Sequence, residues 1–102
     1  MAEFVKVGSS EEIAEGSAKA FDVSGEEIAV ARSGGKLYAF GDICTHRGCN
    51  LSMGEIEGTE VVCDCHGSTF SMETGEVIEG PATQPVGTYP VREANGAIEI
   101  EA

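Results

Sequence analysis

Cys44-Thr45-His46-Arg47-Gly48-Cys49 and Cys63-Asp64-Cys65-His66-Gly67-Ser68-Thr69-Phe70 hold all four cysteines and both histidines of this 102-residue chain. Sixteen residues separate His46 from Cys63, so each segment offers one thiolate and one imidazole from a short stretch with glycine beside it. Zinc sites usually group like ligands, two cysteines in one loop and two histidines in another, whereas here one of each kind stands in both. A two-iron centre in which one iron takes two cysteines and the other two histidines needs that mixed arrangement. On this reading Cys44 and Cys63 hold one iron, and His46 and His66 the other. A zinc ion on the same four side chains is the alternative. A lone histidine is usually structural, but two at fixed offsets from a cysteine reverse that expectation.

Outward from these segments, short apolar or alternating runs recur between turn signals: Phe4 to Val7, Ala18 to Val23, Glu27 to Ala31, Lys36 to Phe40, Glu60 to Cys63, Glu76 to Ile78, Thr88 to Arg92 and Ala97 to Glu101. That spacing predicts an all-β chain. Ile98 and Ile100 alternate with Glu99 and Glu101, and Asn95-Gly96 before them favours a tight hairpin, which puts Val91 and Ile98 on paired strands. Ser33-Gly34-Gly35 and Thr74-Gly75 read as two further hairpin turns. The one helix signal is Ser9 or Ser10 ahead of Glu11-Glu12-Ile13, enough to cap a single turn. There is no internal repeat and no linker. A chain of this length predicts one domain, 1–102, in which about 41–82 interrupts the strand pattern with loops and carries the chemistry.

Composition narrows the function classes. Hydrophobic residues make up 41% and aromatic residues 6%, with 14 Gly and no Trp, the profile of a folded, turn-rich domain whose limited core leaves room for a metal or disulfide staple. Eighteen acidic against six basic residues give a formal charge of −12. Phosphate backbones and anionic lipid are repelled by such a chain, so nucleic acid and membrane surfaces are not expected partners, and the spread acidity reads either as a solvated surface or as a face that docks a basic protein. No apolar run is long enough to span a membrane, and Met1 to Ser10 lacks the basic-then-apolar order of a signal peptide, so the expected location is the cytoplasm. Four cysteines there are more often metal ligands or redox groups than a disulfide framework.

The two quoted segments resemble the cluster-binding boxes of the Rieske family. The resemblance extends through Thr74-Gly75 and through Gly80-Pro81-Ala82, which is similar to the proline loop that covers the cluster in that family. It implies a Rieske-type antiparallel β-sandwich with a small cluster-binding subdomain of two loops, and one [2Fe–2S] cluster on Cys44, His46, Cys63 and His66. Outside Gly41 to Pro90 it rests on strand pattern alone. Cys49 and Cys65 match the positions that form a loop-tying disulfide in the high-potential members, and the resemblance implies the same bond here. Two thiols in contact are the alternative. Such a bond contributes on the order of 3 kcal/mol in the chain-entropy model.

Ser68 matches the family serine whose hydroxyl bonds a bridging sulfide, a contact that stabilises the added electron. Phe70 stands where the high-potential members place a tyrosine, and it has no hydroxyl to donate. The resemblance therefore joins features of two subgroups, and the expected potential is intermediate within the Rieske range of roughly −150 to +300 mV. Exposed outer nitrogens on His46 and His66, as the resemblance implies, would make that potential fall as pH rises above neutrality.

Taken as implied by the resemblance, the chain is a one-electron carrier from a flavin-dependent NAD(P)H ferredoxin reductase to a terminal, aromatic-ring oxygenase. It is not expected to turn over a substrate, since it offers no flavin, mononuclear iron or substrate site of its own. Two other readings stand beside this one. The chain could be a Rieske-like small subunit, a fixed relay in a larger reductase such as nitrite reductase, or a zinc-stabilised binding module with no redox role.

Overall fold

The computed structural model describes residues 4–23, 25–43, 49–63, 67–80 and 84–101. Among them run eleven strands: β1 (Phe4–Ser9), β2 (Ala18–Val23), β3 (Glu26–Ser33), β4 (Lys36–Gly41), β5 (Glu55–Glu57), β6 (Glu60–Val62), β7 (Thr69–Ser71), β8 (Val77–Glu79), β9 (Thr88–Tyr89), β10 (Val91–Ala94) and β11 (Ala97–Glu101). They pair antiparallel in three sheets of order β1-β11-β10, β2-β3-β4-β9 and β5-β6-β7-β8. Two single 3-10 turns, Ser10–Glu12 and Leu51–Met53, are the only helical pieces among the described residues. No helix there is long and apolar enough to cross a membrane. The all-β expectation is met.

Turn chemistry sets the registers. Gly34 and Gly35 have φ of 64° and 79°, and Asn95 and Gly96 have 52° and 78°. Two consecutive positive φ values make the two-residue turn whose twist suits a hairpin. Ser33 accordingly pairs with Lys36, and Ala94 with Ala97. Val91 and Ile98 lie on paired strands as the sequence predicts, although the residue opposite Val91 is Ile100. Around Ser10–Glu12 a capping box forms: the Ser9 N–H donates to the Glu12 carboxylate at 2.7 Å and the Ser9 side chain accepts in return.

Besides shifts of one or two residues at strand ends, two additional strands and one divided run set the structure apart from the sequence reading. β5 and β7 have three residues each, too few for alternation to show. The run Thr88 to Arg92 is divided at Pro90, which has no N–H for a ladder. Thr88 and Tyr89 pair with β4, while β10 pairs with β11 in another sheet.

Residues 28–31 are buried without a break, and the reason is that β3 lies in the middle layer. Ile28 and Val30 join Val23, Ala39, Ile98 and Ile100 in one core cluster. Ala29 and Ala31 point the other way, into a second cluster with Phe40, Leu51, Val61, Cys63 and Phe70. A strand covered on both faces shows a continuous apolar run. Each fully buried large side chain contributes about 1.5–3 kcal/mol, and the second cluster ties the sheet β5-β6-β7-β8 to the central one. The loop-bearing part of the chain is therefore built on its own four-stranded sheet, not on loops alone.

Candidate metal centre

The first ligand segment leaves the central sheet at the end of β4 and returns at Asn50, where Ile43 and Asn50 form an isolated antiparallel bridge. Beside that bridge Asp42 is fully buried. Its carboxylate accepts the Ser52 N–H at 2.7 Å on one oxygen and the Asn50 carboxamide at 2.6 Å on the other. Its carbonyl accepts the Leu51 N–H at 2.6 Å, and its own N–H donates to the Glu27 carbonyl at 3.0 Å. The Asn50 carboxamide also donates to the Glu27 carboxyl. Burial pushes the Asp42 carboxyl up, but Asn50, Glu27 and Ser52 outweigh it and hold it below the usual carboxylate range. Glu27 is pushed up, first by its hydrogen bond with Asp42.

The second segment leaves β6 at Cys63, whose thiol is buried in the same cluster as Phe70, Leu51 and Met72. The Cys63 N–H donates to the Ser68 carbonyl at 2.7 Å, and the Gly67 N–H to the Cys63 carbonyl at 3.0 Å. These two bonds close the loop at its root, and Gly67, with φ of 78°, makes the turn that permits them. Ser68 is fully buried.

Contact between the two roots is direct. Cys49, at the end of the first segment, packs on the cluster that contains Cys63 and is disulfide-bonded. Gly54, on the return limb of the first segment, lies so close to β6 that a Cβ there would stand 1.9 Å from the Val62 carbonyl oxygen. Only glycine allows that approach, which sets the first segment against the strand leading into Cys63.

Of the residues singled out in the sequence, Cys63, Ser68 and Cys49 thus stand together around one buried corner. Cys44, His46, Cys65, His66 and the loop Pro81-Ala82 lie outside the described residues. Sequence reasoning missed Glu27, Asp42, Asn50 and Gly54. The available signal was weak: an acidic residue two positions before the first cysteine and a polar one just after the segment.

Comparisons with known proteins agree with this geometry. A family model described as the Rieske [2Fe-2S] domain matches residues 3–90. The ferredoxin component of the naphthalene 1,2-dioxygenase system of Pseudomonas putida is 36% identical over 90 residues, which cover 88% of this chain and 86% of that protein. Among solved structures, the ferredoxin of carbazole 1,9a-dioxygenase from Nocardioides aromaticivorans superposes with a TM-score of 0.89 at 31% identity, covering 95% of each chain. A complex of reduced oxygenase and oxidized ferredoxin in carbazole 1,9a-dioxygenase holds a chain that matches with a TM-score of 0.88 at 30% identity, over 96% of this chain and 92% of that one.

Proposed function

Because the chain belongs to the Rieske [2Fe–2S] family, we propose that it is the ferredoxin of an oxygenase system, a carrier that takes one electron from a flavin-dependent NAD(P)H ferredoxin reductase and delivers it to a terminal aromatic-ring oxygenase. The observation that carries this reading is the family match along residues 3–90, a stretch that contains both ligand segments. The relatives compared above are themselves named as ferredoxins of dioxygenase systems, and one is solved in complex with its oxygenase. The carrier is a single domain over 1–102, with its cluster-binding part at about 41–82, and it works in the cytoplasm.

Cys44 and Cys63 hold one iron, and His46 and His66 the other. When bound, the cluster takes up and releases one electron. The donor set fits such a group, since two thiolates and two neutral imidazoles leave an oxidised two-iron centre formally uncharged, and the buried, largely apolar surroundings of Cys63 favour a centre of low net charge. Cys65 closes the disulfide to Cys49 and so links the two segments. The Ser68 hydroxyl, set at the loop root beside Cys63, would donate to the sulfur of a bound cluster. Buried apolar packing around Cys63 keeps water from the thiolate side, leaving the histidine side as the electron port.

Purified protein tests this directly. The expected result is brown protein with equimolar iron and acid-labile sulfide that accepts electrons from a flavin reductase and supports turnover of an aromatic-ring oxygenase. Colourless, zinc-loaded protein without sulfide would overturn it.

A further inference from the structure

Asp42 is a charged side chain with no exposure, and it stands at the point where the chain leaves β4 for the first ligand segment. Three of its hydrogen bonds go to residues that immediately follow that segment: the Asn50 carboxamide, the Leu51 N–H and the Ser52 N–H. A carboxylate suits this place because it is acceptor-only, with two oxygens available to two donors at once. Asn50 spends its second amide hydrogen on Glu27 of β3, so the same group also fastens the returning chain to the central sheet. The Ile43–Asn50 bridge lies beside these bonds, and the residues between the two ends carry two of the four assigned ligands.

We propose that Asp42 is the positioning residue of the first ligand segment: by binding residues 50–52 it holds the two ends of the 43–49 loop together, so that Cys44 and His46 meet the cluster as a closed loop. This rests on the assignment of Cys44 and His46 as ligands. Closing the loop at the moment of cluster binding would cost conformational entropy; a clasp already formed removes that cost. Groups of this kind, one step behind the ligands, usually matter about 10–100-fold in metal affinity.

Asp42→Asn keeps the shape and the acceptor for Ser52, but it turns an N–H₂ toward the Asn50 N–H₂, donor against donor. The double variant Asp42→Asn with Asn50→Asp exchanges the roles and restores that bond, and it and its references are made in a Glu27→Gln background so that the exchanged carboxylate meets an amide donor instead of the Glu27 carboxyl. Two readouts are needed: hydrogen exchange of the Leu51 and Ser52 amides in apo and loaded protein, and the rate at which the visible absorbance bleaches under a chelator well below the melting temperature. The single variant is expected to exchange faster at both amides and to lose its cluster about tenfold faster, and the double variant to recover toward wild type in both. Wild-type cluster loss in the single variant would overturn the proposal, as would faster loss with unchanged amide exchange or an absence of recovery in the double variant. If the single variant does not fold, Asn50→Ala, which deletes the side-chain donor and leaves both backbone donors, takes its place with the same expectations. A wild-type protein that never binds a cluster would instead refute the ligand assignment, and the exchange data on the apo protein would still judge the clasp.

Discussion

Ser68 and Phe70 show how much a single atom decides at the second loop. Both are fully buried, yet only the serine carries a hydroxyl that can donate to a sulfur. A hydrogen bond to a charged acceptor contributes about 1.5–3 kcal/mol, and if it stabilises the added electron as proposed, Ser68→Ala is expected to lower the reduction potential by roughly 60–130 mV for a one-electron couple. Voltammetry on the two proteins measures this, and an unchanged potential would show that the hydroxyl points elsewhere. The two Cys- and His-bearing segments stand out in the sequence because ligand chemistry restricts residue type and spacing, whereas Ser68 was singled out by the family resemblance alone. Asp42 and Gly54 were not, because an aspartate or a glycine is common in any loop. What distinguishes them is a set of donors eight to ten residues away and a carbonyl oxygen on another strand.

At the scale of elements, the hairpin of β3 and β4 is braced from outside by one carboxylate. Glu15 accepts the Gly34 N–H at 2.7 Å and the Gly35 N–H at 3.0 Å, so it caps the very turn that sets the register of the central sheet. The Gly35 N–H, then the Gly34 N–H, hold its carboxyl below the usual carboxylate range. Glu12, hydrogen-bonded by Lys19 and by the Ser9 N–H, is lowered likewise. A carboxyl whose folded value is depressed adds stability above its unfolded value, about 4.3 for glutamate, and loses it as pH falls through the folded value. Glu27, raised by Asp42, has the opposite sign: its contribution is present at low pH and is lost as pH rises through its folded value. Thermal melts of Glu15→Gln are therefore expected to lie below wild type at pH 7 and to converge with it as the pH is taken well under 4. A constant gap across that range would mean that the carboxylate's charge is not what braces the turn.

Across the whole molecule, charge is unevenly placed. No Lys or Arg occurs between Arg47 and Arg92, a stretch that contains seven Asp and Glu. The register of the sheet β5-β6-β7-β8 places Ile56, Val61 and Phe70 on its core face and Glu55, Glu57, Glu60 and Glu79 on the other. Glu57 and Glu60 face each other directly, an arrangement that costs stability between like charges. Lys19, Arg32 and Arg92 are paired with Glu12, Glu93 and Glu99 in the other two sheets. Electron delivery to an oxygenase with a basic docking face is thus expected to slow as salt rises, because a Debye length of about 8 Å at physiological ionic strength already screens long-range attraction. Stopped-flow rates across a salt series, with Glu57→Gln/Glu60→Gln as the comparison, test this. The double variant should show the shallower dependence, and equal slopes would remove this sheet face from the encounter.

From the sequence by itself come the all-β class, the hairpins at Gly34-Gly35 and Asn95-Gly96, and the two ligand segments. Each is local: a turn needs particular residues at adjacent positions, and a metal needs particular donors at short spacing. The pairing of Thr88-Tyr89 and of β10 with different sheets, the burial of β3 on both faces, the Gly54 contact with Val62 and the clasp of Asp42 on residues 50–52 were decided only by tertiary structure. They depend on which strands lie across from one another and on hydrogen bonds between residues distant in the chain, and neither follows from any periodicity.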